Sequence, residues 1–111
     1  MGNVHMKIKE LEKDIQRAII QYLTMKKVFF WRNNSGAMVS EYNGNKRFMR
    51  FGEVGSPDIC VIKDGFFIGL EVKTEKGKQS IYQLQWETDL ILAGGQYYVV
   101  RSIDDVIKIG L

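Results

Sequence analysis

An α/β sandwich, one mixed sheet with helices on both faces, is the fold this sequence predicts, and three observations predict it. Two apolar runs, Ile59–Lys63 and Phe66–Leu70, flank Asp64-Gly65, a dipeptide that favours a two-residue hairpin loop. Both faces of that hairpin are mostly apolar, with Ile59, Val61, Ile68 and Leu70 on one side and Cys60, Ile62, Phe67 and Gly69 on the other. A sheet with two apolar faces needs cover on both. Third, a helical stretch from Ser80 to Ala93 leads straight into the β-rich run Gln96–Arg101. A strand–helix–strand unit of that length implies a right-handed crossover and a parallel neighbour for the second hairpin strand.

The elements follow in order. Met6 to Lys26 reads as the first helix, because Ile8, Leu11, Ile15, Ala18, Ile19, Tyr22 and Leu23 recur at helical spacing. At about 100° per residue, Glu12 lies roughly 60° from the centre of that apolar face and Glu10 roughly 140° away. Glu12 therefore sits where the helix meets the sheet, either as an ordinary flanking carboxylate or as an acid that looks into a site. Val28–Trp31 is a short β-branched and aromatic strand, left by the polar loop Arg32-Asn33-Asn34-Ser35-Gly36. Residues 37–51 suit a second hairpin about Asn43-Gly44-Asn45, with Lys46, Arg47 and Arg50 on its return strand. Basic residues interleaved with aromatics fit contact with a nucleic-acid backbone, and they equally fit an edge strand defended by charge. Pro57 fixes the entry to the next strand. Ser80 suits an N-cap, and the helix behind it, apolar around much of its surface, reads as well buried with Trp86 in the core. Gly94-Gly95 ends that helix, and Ser102 with Asp105 starts a short last one over Ile103–Ile109.

The hairpin also sets a constellation. If Asp64 and Gly65 form the loop, Lys63 faces Phe66, and the pairing walks back until Asp58 faces Glu71. Directly opposed residues have Cβ atoms about 5 Å apart. Two carboxylates that close repel unless something positive lies between them, and a divalent cation with oxygen ligands is a natural occupant. Lys73, two residues past Glu71, shares its face. Salt bridges from the acids to Lys73 or Arg50 are the simpler alternative.

The series Glu12, Trp31-Arg32-Asn33-Asn34, Pro57-Asp58, Glu71-Val72-Lys73, Ser80-x-x-Gln83-x-x-Trp86 and Gly94-Gly95 resembles the PD-(D/E)XK nuclease superfamily. Within it, the chain from Glu12 to about Val106 is most similar to the small stand-alone VRR-NUC domain proteins. The resemblance implies a restriction-endonuclease-like α-β-β-β-α-β core. It implies a Mg²⁺ or Mn²⁺ ion held by Asp58, Glu71 and the Val72 backbone carbonyl, with Glu12 completing the shell directly or through water. Lys73 and Gln83 would join those acids as catalytic residues. Arg32, Asn33, Lys46, Arg47, Arg50 and Lys78 would contact DNA. The activity implied is a metal-dependent, structure-selective DNA endonuclease acting on four-way (Holliday) junctions or flaps, as a homodimer. A phage or prophage setting in a bacterial cytoplasm goes with it. A non-catalytic nucleic-acid-binding domain, or an assembly subunit that keeps the nuclease fold, is the other reading.

Composition narrows the classes without choosing among them. At 111 residues the chain suits one domain, read here as residues 7–111, with residues 1–6 as a cloning remnant or disordered lead-in. The net charge of +3 favours an anionic partner. A lone Cys60 excludes an intramolecular disulfide, and neither it nor the single His5 has neighbours suited to zinc. No apolar run reaches membrane-spanning length, and no nucleotide cofactor is expected.

Overall fold

A computed structural model describes residues 4–33, 36–42, 44–51 and 53–111, and for residues 4–10, 36–42 and 45–51 it describes the backbone alone. The elements run α1 (Val4–Met25), β1 (Phe29–Arg32), β2 (Gly36–Tyr42), β3 (Asn45–Phe51), β4 (Ile59–Lys63), β5 (Phe66–Val72), α2 (Ile81–Leu92), β6 (Gln96–Val100) and α3 (Ile103–Ile109). α1 thus takes in part of the expected lead-in, of which residues 1–3 lie outside the described ones. No described helix is long and apolar enough to cross a membrane.

Four strands form the main sheet in the order β1-β4-β5-β6. β1 and β5 flank β4 antiparallel, and β6 joins β5 parallel across the α2 crossover. The predicted α/β class and restriction-endonuclease-like core are therefore observed. Asp64 at φ 54° and Gly65 at φ 82° close the β4–β5 hairpin as the sequence indicated. Lys63 pairs with Phe66 and Ile59 with Leu70, so the register is the expected one and no bulge interrupts it. β2 and β3 pair with each other as a separate two-stranded sheet, running from Gly36↔Phe51 to Tyr42↔Asn45. The antiparallel part of the main sheet is therefore three strands, and the 37–51 hairpin stands outside it.

The core lies on one sheet face. Ile59, Val61, Ile68, Leu70 and Val72 from the hairpin pack with Ile19 and Leu23 of α1 and Val106 of α3. Burying such side chains contributes roughly 1.5–3 kcal/mol each, which is what presses α1 and Glu12 against the sheet. α2 lies on the other face. A Cβ on Gly69 would sit 2.6 Å from Pro57 Cγ and 3.5 Å from Leu90 Cδ2, so glycine there permits the close approach of both.

One expectation about α2 fails. None of its residues is buried, Trp86 and Leu90 are half-buried, and Ile81, Tyr82, Leu84, Ile91 and Leu92 are exposed. Apolar residues distributed around a helix raise its mean hydropathy, but only the narrow stripe over β5 and β6 meets the sheet.

Candidate active site

Asp58 ends the loop that enters β4, and Glu71 is the penultimate residue of β5, so the hairpin register brings them to one end of the sheet. The Asp58 carboxyl makes hydrogen-bonding contact with that of Glu71. Its Oδ2 also accepts the Val72 N–H at 2.9 Å. In an extended strand the N–H and C=O of one residue share an edge, so the Val72 carbonyl faces the Asp58 side of β5. Lys73 hydrogen-bonds through its N–H to the Val100 carbonyl at 3.1 Å, toward the opposite edge.

Glu71 is 1 % exposed. Burial first, and then the hydrogen bond and charge of Asp58, push its carboxyl up to about 10; Lys73 opposes this and Glu12 adds to it. Burial likewise raises the Glu12 carboxyl, with Lys73 pulling down and Asp58 pushing up. These mutual influences place Glu12, Asp58, Glu71 and Lys73 in one cluster, although they come from α1, the β4 entry and the end of β5.

The loop carrying Asp58 is tied down from β1. The Asn33 amide donates to Ser56 Oγ at 2.7 Å and to the Pro57 carbonyl at 2.9 Å, and its N–H donates to the Asp58 carbonyl at 2.8 Å. Ser56 in turn donates to the Glu53 carbonyl at 2.6 Å. Asn33, expected to contact DNA, spends these donors on fixing the loop. Arg32 and Lys78 are exposed. The side chains of Lys46, Arg47 and Arg50 lie outside the described residues. Gln83 serves a capping box: its Oε1 accepts the Ser80 N–H at 2.8 Å and its N–H donates to Ser80 Oγ at 3.2 Å. Its amide N–H₂ is the end left for another partner.

Three residues near the site were not anticipated. Tyr97 of β6 is buried and its hydroxyl donates to Glu71 Oε1 at 3.5 Å; burial and the Glu71 charge raise its phenol well above the ordinary range. Gln79 Nε2 donates to that hydroxyl at 3.4 Å and to Glu87 Oε1 at 3.0 Å. Arg101 donates to the carbonyls of Thr74, Glu75 and Gly77, and so holds the turn that follows Lys73. The only sequence signal for Tyr97 was parity: Glu71 pairs with Val99, and Tyr97 lies two residues before it on the same face. Cys60 is buried and its thiol is pushed up to about 11, as suits an inert core residue.

Among the described residues, no three His, Cys, Asp or Glu side chains are gathered tightly enough to hold a metal by themselves. The donors nonetheless fit a hard divalent cation. Mg²⁺ is commonly held by one or two carboxylates and keeps several waters. Here two carboxylates meet beside a backbone carbonyl edge, and burial first, then the hydrogen bond and charge of Asp58, pushes the Glu71 carboxyl far above the ordinary carboxylate value.

The fold and site together define the class, an α/β restriction-endonuclease-like domain with a paired-carboxylate end. No protein-family model and no curated protein matches the sequence. Among solved structures, the chain is similar to one described as a VRR_NUC domain, with 22% sequence identity and a TM-score of 0.61 over 89% of this chain and 92% of that one. At that identity the likeness establishes a shared fold.

Proposed function

We propose that this protein is a metal-dependent deoxyribonuclease, a structure-selective endonuclease that hydrolyses phosphodiester bonds in branched DNA, either four-way junctions or flaps. The observation that carries the proposal is the cluster of Asp58, Glu71, Lys73 and Glu12 on a fold shared with a VRR_NUC domain. Asp58, Glu71 and the Val72 carbonyl would hold Mg²⁺ or Mn²⁺, with Glu12 acting directly or through water. When bound, the ion supplies a more acidic water and stabilises negative charge on the phosphate.

The chain's own residues do the rest. Asp58 stays in place because Asn33 and Ser56 fix its loop and the Val72 N–H fixes its carboxylate. Tyr97 orients Glu71. The Lys73 ammonium, on the face of Glu71, orients the attacking water or offsets charge as its oxygen bonds to phosphorus and the P–O bond to the leaving strand breaks. The free Gln83 amide N–H₂ suits the phosphate or Lys73. A small domain has little surface for base readout, so recognition is of backbone and shape. Paired cuts in a two-fold-symmetric junction require two such sites, which a homodimer supplies. The edge-to-face stack of the exposed Phe29 and Trp31 with the half-buried Phe67, with centroids 6.4 and 6.1 Å apart, is the surface we assign to the second copy.

The test is cleavage of labelled junction, flap and linear duplex by the wild-type chain and Lys73→Ala. The variant should bind all three normally and cut orders of magnitude more slowly. Near-wild-type cutting would remove Lys73 from the chemistry. Binding without any cleavage by the wild-type chain would replace this reading with that of a binding or assembly module.

A further inference from the structure

We propose that the flank of α1 beside the acid cluster is a phosphate-binding cleft that grips the nucleic-acid backbone next to the bond being cut. The inference rests on the nucleic-acid reading above and adds a binding site to it. A cavity of about 380 Å³ opens between α1 and the end of β1, lined by Lys13, Gln16, Arg17, Ile20, Gln21 and Arg32. Three of these carry positive charge, two offer amide donors, and none is a carboxylate.

Cations that share one cavity with no carboxylate among its lining residues disfavour the folded state. Lys13 and Arg17 are one turn apart on α1, a like-charge spacing that costs a few tenths of a kcal/mol in an isolated helix. Arg32 lines the same cavity from the sheet. The described ion pair here is Arg17 with Asp14 at 3.4 Å, with both side chains mostly exposed. Exposed pairs of that kind contribute little. The arrangement therefore suits an anion that arrives from solution. The i,i+4 step of Lys13 and Arg17 advances about 6 Å along the axis, the same order as the step between adjacent phosphates of one strand. Guanidinium groups match phosphate geometry, and the half-buried Ile20 gives an apolar floor.

Position gives the cleft its purpose. Lys13 follows Glu12, whose carboxyl is influenced by both Lys73 and Asp58. Arg32 pairs with Ile59, and the next residue, Asn33, donates its N–H to the Asp58 carbonyl. Each wall of the cleft is thus one residue along the chain from a residue tied to the acid cluster, Lys13 from Glu12 and Arg32 from Asn33. On this proposal, the phosphates that flank the one at Asp58 and Glu71 fall to Lys13, Arg17 and Arg32.

The test reads binding apart from cutting. Anisotropy of a labelled branched duplex is followed in EDTA over a series of salt concentrations, for the full wild-type chain, Lys13→Ala with Arg17→Ala, Arg17→Lys, and Lys108→Ala on α3. Each phosphate contact contributes about 0.9 to the slope of log K against log salt, or about eightfold in affinity at roughly 0.1 M. The double variant should therefore lose about 2 from the slope and roughly 60-fold in affinity, while Arg17→Lys and Lys108→Ala keep the wild-type slope. An unchanged slope in the double variant, alongside normal Mg²⁺-dependent cutting by the wild-type chain, overturns the cleft and leaves the hydrolytic reading standing. A lost slope in a protein that cuts nothing does the reverse. A loss as large in Arg17→Lys as in the double variant overturns the cleft too, because it marks a structural role instead of a charge.

Discussion

Replacing Glu71 with glutamine should make the metal-free protein more stable at neutral pH. The Glu71 carboxyl has an ordinary value of 4.5 and is pushed up to about 10 in the fold. Below the ordinary value both folded and unfolded chains are protonated, and the group contributes no difference. Above it the unfolded chain ionises while the folded one does not, so stability falls with each pH unit until about 10. One unit is worth about 1.4 kcal/mol, so the penalty is on the order of 3 kcal/mol near pH 7 and under about 1 kcal/mol near pH 5. For a domain whose total stability is roughly 5–15 kcal/mol, that is a large share. Glutamine stays neutral throughout, keeps an oxygen for the Tyr97 hydroxyl, and offers an N–H to Asp58 where the protonated carboxyl sits. Urea unfolding with EDTA should show Glu71→Gln ahead by about 3 kcal/mol near pH 7, with the gap closing toward pH 5. Saturating Mg²⁺ should then stabilise the wild-type chain and leave the variant unmoved. A wild-type protein at least as stable as the variant near pH 7, or a gap that does not widen with pH, would refute the reasoning about Glu71.

Three further outcomes are expected. Tyr97→Phe removes the hydroxyl between Glu71 and Gln79; the Mg²⁺ needed for half-maximal cutting should rise by roughly tenfold, with DNA affinity in EDTA unchanged. Gly69→Ala drives a methyl to within 2.6 Å of the rigid Pro57 ring. Thermal unfolding should report a loss of about 1–3 kcal/mol, and cutting should fall because Asp58 is the next residue. Ser80→Ala removes the Oγ that accepts the Gln83 N–H and leaves the capping-box bond from the backbone N–H to Gln83 Oε1 in place, and chemical denaturation should register about 1 kcal/mol.

The site's central pair was legible because a tight Asp-Gly turn leaves a hairpin one register. Once Lys63 opposes Phe66, the positions of Asp58 and Glu71 follow by counting. A helical angle put Glu12 where α1 meets the sheet without choosing between a flanking carboxylate and a site acid, and the caps at Ser80 and Ser102 were legible through local hydrogen-bonding chemistry. The remainder depends on contacts between elements distant in sequence. The reach of Tyr97 to Glu71 needs the parallel register of β6 on β5, which no local pattern encodes. Arg101 is separated by 24 to 27 residues from the carbonyls it holds. Asn33 sits in a polar loop that looked free for a ligand, yet the buried Ser56 and Pro57 beside it needed its donors. The exposure of α2 depends on how much of the sheet lies beneath it, and periodicity cannot show that.

Cleavage of a labelled four-way junction with Mg²⁺, beside an EDTA control and the Glu71→Ala protein, tests the central claim most directly. The account predicts paired symmetric cuts that disappear both with EDTA and in Glu71→Ala. Cutting that survives in EDTA or in Glu71→Ala would contradict it, because the Asp58–Glu71 pair would then not be where hydrolysis occurs.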